Sequence, residues 1–137
     1  MIISCMDARV SPEKYLDLNL GDAFVYRDGG GSATGAIRSI VAIDSVVQLE
    51  SLILVRHKDC GVIGWDDEKI RKILSARAPD RAEEIDKMTF GKFKEEEQSI
   101  KDDVAFLTTN TLLRKELRDN TFGYLLDIKT GLIEKVA

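Results

Sequence analysis

The sequence predicts an α/β domain with a mostly parallel central sheet of about four strands plus an edge strand, flanked by helices. Three observations carry this. Short apolar runs alternate with segments of helical period, each run empties directly into a polar loop, and the chain closes on two strand-like runs around a tight turn. With 137 residues, 44% of them hydrophobic, the chain can bury one core, and no linker or repeat divides it, so residues 1–137 read as a single domain.

Ile2–Cys5 is a short run fit for a buried strand. Residues 23–26 (Ala-Phe-Val-Tyr) give a second, and residues 51–55, rich in branched apolar side chains, give a third. Between the last two, residues 36–47 carry apolar side chains on a helical repeat long enough for the crossover of a βαβ unit. The cluster Gly29-Gly30-Gly31 precedes that helix without the spacing of a phosphate loop, so its glycines either serve turns or let backbone approach a small site. Residues 66–101 are highly charged, and Pro79 divides them into two or more solvated helices. A longer helix is predicted from near Phe93 through residues 111–118. Residues 122–128 and 132–136, parted by Lys129-Thr130-Gly131, complete the sheet as a strand and a hairpin partner.

Composition narrows the partners. The net charge is −4, and the 20 lysines and arginines are interspersed among 24 acidic residues with no basic stripe, which argues against nucleic acid. No apolar run approaches a membrane span and the first residues are too short for a secretion signal, so a cytoplasmic protein without membrane contact is expected, an organelle remaining open if a targeting segment was removed. The two cysteines are then better read as free or metal-bound than as a disulfide.

Those cysteines stand in telling company. Cys5 opens Cys5-Met6-Asp7-Ala8-Arg9, and Cys60 lies three residues after His57, the only histidine of the chain. Two thiolates and one imidazole make a donor set suited to tetrahedral zinc with the fourth position left for water or substrate. Cys5, Asp28 and His57 all fall at or just beyond the carboxyl ends of predicted strands, the edge where open parallel sheets bind ligands.

Cys5-Met6-Asp7-Ala8-Arg9 resembles the C-x-D-x-R signature of the β-class carbonic anhydrases, and His57-Lys58-Asp59-Cys60-Gly61 resembles their H-x-x-C-G signature. An Ile37-Arg38-Ser39 helix start and the closing hairpin from Gly123-Tyr124 to Lys135 are similar to family segments too. The chain begins almost at the Cys5 strand, so the likeness is to a short form without the family's upstream helical arm. The resemblance implies that Cys5, His57 and Cys60 bind Zn²⁺. It also implies that Asp7 and Arg9 are catalytic, the carboxylate accepting a hydrogen bond from the attacking oxygen and the guanidinium holding the carboxylate. A closed resting form, with Asp7 itself in the fourth metal position, is a further family possibility. The implied reaction is reversible hydration of carbon dioxide to bicarbonate and a proton by zinc-bound hydroxide. Asp28, Gly29, Gly30 and Gly61 are expected to line the cleft; Asp28-Gly29-Gly30 stands where many members have Asn-Ala-Gly, and Lys58 replaces a small hydroxyl residue. A homodimer or higher even oligomer is expected. Two other activities fit the same residues: hydrolysis of carbon disulfide or carbonyl sulfide, and a non-catalytic zinc-binding role exerted through oligomerisation.

Overall fold

The computed structural model describes residues 1–91 and 95–137. In chain order its elements are β1 (Ile2–Cys5), α1 (Pro12–Tyr15), β2 (Val25–Asp28), α2 (Ala33–Val47), β3 (Leu52–His57) and α3 (Asp67–Arg77). A 3₁₀ turn at Pro79–Arg81 leads into α4 (Ala82–Asp86), followed by α5 (Glu96–Thr109), α6 (Lys115–Asp119), β4 (Thr121–Leu126) and β5 (Ile133–Lys135). The strands form one five-stranded sheet in the order β2-β1-β3-β4-β5. Every pairing is parallel except the terminal β4–β5 hairpin. The predicted α/β class and edge strand are therefore observed.

β1 and β3 are central strands covered on both faces, which is why they read as nearly unbroken apolar runs. One face packs Ile3, Ile40, Leu54, Ile100 and Leu107 beneath α2 and α5. The other gathers Ile2, Val10, Val55, Val62 and Leu126 around the two cysteines. In α2 the buried residues Ala33, Ala36, Ile40 and Asp44 recur every three or four positions, the spacing of one helical face. At Gly123 on β4 an added Cβ would lie 2.3 Å from Ile100 Cγ2, so this glycine lets α5 approach the sheet closely.

Three boundaries differ from the sequence reading. β2 lies two residues later than predicted, because its pairing with β1 (Ile2 with Val25, Cys5 with Asp28) extends through the charged Arg27 and Asp28 rather than the apolar residues before them. β3 likewise continues through Arg56 and His57, which pair with Leu125 and Leu126 of β4. α2 starts at Ala33, so Ile37-Arg38-Ser39 lies inside the helix rather than at its start.

The single long helix predicted up to residue 118 is two helices; its expected start at Phe93 lies outside the described residues. α5 stops where Asn110 turns extended and its side-chain oxygen accepts the Leu112 N–H at 3.0 Å. Thr108 and Thr109 weaken that last turn by donating back to the Val104 and Ala105 carbonyls. The break frees Arg114 to fork onto Asp44 at 3.0 and 2.7 Å, while Leu113 and Leu117 enter the core.

Candidate metal centre

β1 and β3 are parallel neighbours, so their carboxyl ends lie side by side and bring Cys5 and His57 together across 52 residues of chain. Beyond β3 the backbone reverses through Asp59, a non-glycine residue at φ +62°, and returns Cys60 to the same spot. The donor atoms of Cys5, His57 and Cys60 all lie within 4.8 Å of one another, and all three residues are buried.

The geometry passes two tests for a tetrahedral cation. The two sulfurs are 3.8 Å apart. That is far beyond a disulfide bond, yet two thiolates bound about 2.3 Å from one tetrahedral zinc lie roughly 3.8 Å apart. His57 supplies the second test. Its Nδ1–H donates to the Lys58 carbonyl at 2.9 Å, which selects the tautomer with a lone pair on Nε2. That Nε2 is buried without a hydrogen-bond partner among the described residues. Buried acceptors are rarely left unmet, and a metal ion among these donors would meet this one.

As sulfurs alone, the two cysteines would share one proton. Cys60 beside it pulls the Cys5 thiol well below the usual thiol range against the desolvation of burial, with help from His57 and the N–H groups of Asp7 and Gly30. Cys60 is driven up in return by the Cys5 thiolate. A divalent cation would remove that conflict by taking both as thiolates. Burial alone would keep His57 neutral, but the Cys5 sulfur and the Lys58 carbonyl outweigh it and raise its pKa.

Asp7 sits at the rim, its Oδ2 4.0 Å from His57 Nε2. Arg9 grips it with Nε on Oδ1 at 3.0 Å and Nη2 on Oδ2 at 2.7 Å, and the Arg9 N–H adds a third bond to Oδ1 at 2.9 Å. The Arg9 hydrogen bonds hold this carboxyl well below the usual carboxylate range. The same Nη2 reaches the Asp59 carbonyl at 3.0 Å, so one guanidinium fixes the carboxylate and ties both ligand loops together. Asp7 thus stands in the Arg9 fork rather than among the three clustered donors.

The expected cleft residues separate. Asp28 and Gly29 line a cavity of about 630 Å³ with Met6, Trp65 and Phe90. Asp28 is also committed to its own loop: Oδ1 accepts the Ser32 N–H at 2.8 Å and Oδ2 meets the Tyr26 hydroxyl at 3.4 Å, while burial raises its pKa. Gly29 lies under the Trp65 ring, 3.3 Å from an added Cβ. Gly30 is buried, its carbonyl taken by Arg56, and Gly61 is exposed on the ligand turn. Sequence reasoning missed Arg27, which donates from Nε to the Cys5 carbonyl at 2.9 Å and from Nη2 to the Asp7 carbonyl at 2.7 Å, bracing the first ligand loop. It missed Arg56 as well. The signal was a charge inside an apolar run, since a charge buried in a central strand must be paired.

A family model described as "Carbonic anhydrase" matches residues 1–133. Among characterised proteins the chain is 28% identical over 156 residues to a "Carbon disulfide hydrolase" of Acidianus sp. (strain A1-3), spanning 98% of this chain and 75% of that protein. It is 26% identical over 138 residues to "Beta-carbonic anhydrase 1" of Mycobacterium tuberculosis (strain ATCC 25618 / H37Rv), spanning 98% and 80%. Among solved structures it superposes on a carbonic anhydrase from Glaciozyma antarctica with a TM-score of 0.93 and 31% identity, covering 99% of this chain and 80% of that one. A carbonic anhydrase from Streptococcus mutans gives a TM-score of 0.85 and 28% identity over the same shares.

Proposed function

The chain belongs to the carbonic anhydrase family, and on that premise we propose that it catalyses the reversible hydration of carbon dioxide to bicarbonate and a proton at a zinc ion held by Cys5, His57 and Cys60. The observation that carries this reading is the buried donor triad with an unmet His57 Nε2, beside a carboxylate already gripped by Arg9. Zinc supplies Lewis acidity there, lowering the pKa of a water so that it becomes a nucleophile at neutral pH.

The side chains do the rest. The Lys58 carbonyl keeps His57 in the ligating tautomer. Asp7, ionised under the Arg9 fork, accepts the hydrogen bond of the attacking oxygen and orients it toward the carbon. Because its carboxyl stays ionised far below neutral pH, it acts as an acceptor and not as an acid. With a single histidine in the chain, itself a ligand in this reading, the released proton leaves through water, Asp or Tyr side chains, or buffer.

The working unit in this reading is a homodimer or a higher even oligomer. β2 is one of the two edge strands of the sheet and ends at Asp28, so a second copy along that edge would flank the cavity beside Met6 and Trp65. A reducing compartment such as the cytoplasm suits a buried pair of free thiols.

The similarity to a protein named carbon disulfide hydrolase favours one alternative at the same site, hydrolysis of carbon disulfide, whose carbon is also a linear electrophile. Stopped-flow carbon dioxide hydration and hydrogen sulfide release from carbon disulfide, measured on one zinc-assayed preparation, separate the two. Zinc-dependent hydration is the expected result. Full zinc occupancy with sulfide release and no hydration would overturn it in favour of the alternative.

A further inference from the structure

Arg56 and Asp103 lie outside the donor triad, yet they are built into the loop that rests on it. Arg56 directly precedes His57 on β3, and strand alternation sends its side chain to the opposite face. There Nη2 donates to Asp103 Oδ2 on α5 at 2.6 Å, while Nη1 donates to the Gly30 carbonyl. Asp103 Oδ2 also accepts the N–H of Ala33, the first residue of α2, at 3.2 Å. The two side chains are only 5% and 14% exposed. One carboxylate from α5 therefore holds both ends of the glycine loop, Ala33 directly and Gly30 through Arg56.

That loop lies on Cys5. The Asp28 carbonyl accepts from both Met6 N–H at 2.7 Å and Gly31 N–H at 3.2 Å, and a Cβ on Gly31 would sit 2.9 Å from the Cys5 nitrogen.

We propose that Asp103 is a positioning residue for the metal centre: through Arg56 and the Ala33 N–H it fixes the glycine loop that packs against the Cys5 backbone, holding Cys5 in place as a ligand. The proposal rests on the reading of Cys5 as a metal ligand. A buried ion pair is in itself weak evidence even for stability, so its function is judged by where it is anchored. Asp44 and Arg114 make the informative comparison. They too pin a loop, through the Leu49 N–H at 2.9 Å and the Leu49 carbonyl at 2.8 Å, but at the far end of α2 from the cysteines.

The test compares full-length wild type, D103N and D44N in three measurements. These are thermal melting, the sulfur-to-metal charge-transfer band of the cobalt(II)-loaded protein, and the rate at which bound zinc passes to excess EDTA. Both variants should melt lower. Only D103N should shift the cobalt band and release zinc roughly tenfold faster, the low end of what supporting hydrogen bonds contribute to metal sites. A D103N protein that matches D44N in band and release rate would overturn the proposal and leave the pair a structural brace. Should D103N not fold, R56K keeps the cation but loses the fork that reaches Gly30. The same band shift and faster release are expected of it, and wild-type values would overturn the proposal. A wild-type protein that binds neither ion would overturn the metal reading and this proposal together, a result distinct from an unaltered D103N.

Discussion

Substituting Gly31 by alanine should uncouple the glycine loop from the metal centre, and its size can be worked from the backbone. Gly31 has φ +70°, a left-handed conformation that costs an L-residue roughly 1–2 kcal/mol. Its Cβ would lie 2.7 Å from the Ser4 carbonyl carbon and 2.9 Å from the Cys5 nitrogen. Both atoms belong to the backbone of a central strand paired on both sides, so no side chain can rotate away. Overpacking of this kind adds about 1–3 kcal/mol. The total, about 2–5 kcal/mol, is a large part of a typical domain's stability and corresponds to a melting temperature lowered by roughly 10–20 °C. Circular dichroism melts of zinc-loaded protein, with metal content assayed before and after, measure it. Gly61→Ala is the control, because an added Cβ there meets nothing within 4 Å. Gly31→Ala should melt far below it and hold less zinc. Equal melting temperatures and equal zinc in the two variants would refute the claim that this loop is pressed against the Cys5 strand.

Two further outcomes follow from side-chain contacts. Asp7→Ala should lower kcat for carbon dioxide hydration by roughly a hundredfold while leaving zinc content unchanged, because the carboxylate orients the attacking oxygen without belonging to the donor triad; activity lost only in proportion to zinc would contradict that role. Asp44 has its carboxyl pKa depressed below 3.8 by the Arg114 hydrogen bonds, so its contribution to stability is complete above that pH and is lost as pH falls through the lower folded value. Urea melts should therefore show Asp44→Asn less stable than wild type at pH 7, with the gap narrowing as pH drops below 3.8, and a gap of constant size would contradict the linkage.

What was legible in the sequence had short-range causes. Ile2–Cys5 could be placed as a strand because a strand buried on both faces needs an unbroken apolar run, and the antiparallel hairpin followed from Lys129-Thr130-Gly131, with Gly131 at φ +75°. The boundaries at β2 and β3 were misplaced for the converse reason. Arg27, Asp28, Arg56 and His57 look like loop residues, but each is paired in the ladder, and each side chain has a named partner on another element or in the adjoining loop. The break after Thr109 was missed because Asn110 and the threonine back-bonds end α5 locally, and the partner that the break lets Arg114 reach, Asp44, lies 70 residues away.

The sequence by itself determined the donor chemistry: one histidine and two cysteines, in the order and spacing of two loops, admit only one three-donor set of nitrogen and sulfur. It also determined that these loops follow strands. Only the tertiary structure decided that Asp28 braces its own loop, that Arg27 holds the Cys5 turn, and that Arg56 meets Asp103 across 47 residues. The physical reason is range. A donor set is a property of residue type and local spacing, whereas the partner of a buried charge depends on which helix the sheet order lays over which strand end, and no local segment of chain carries that information.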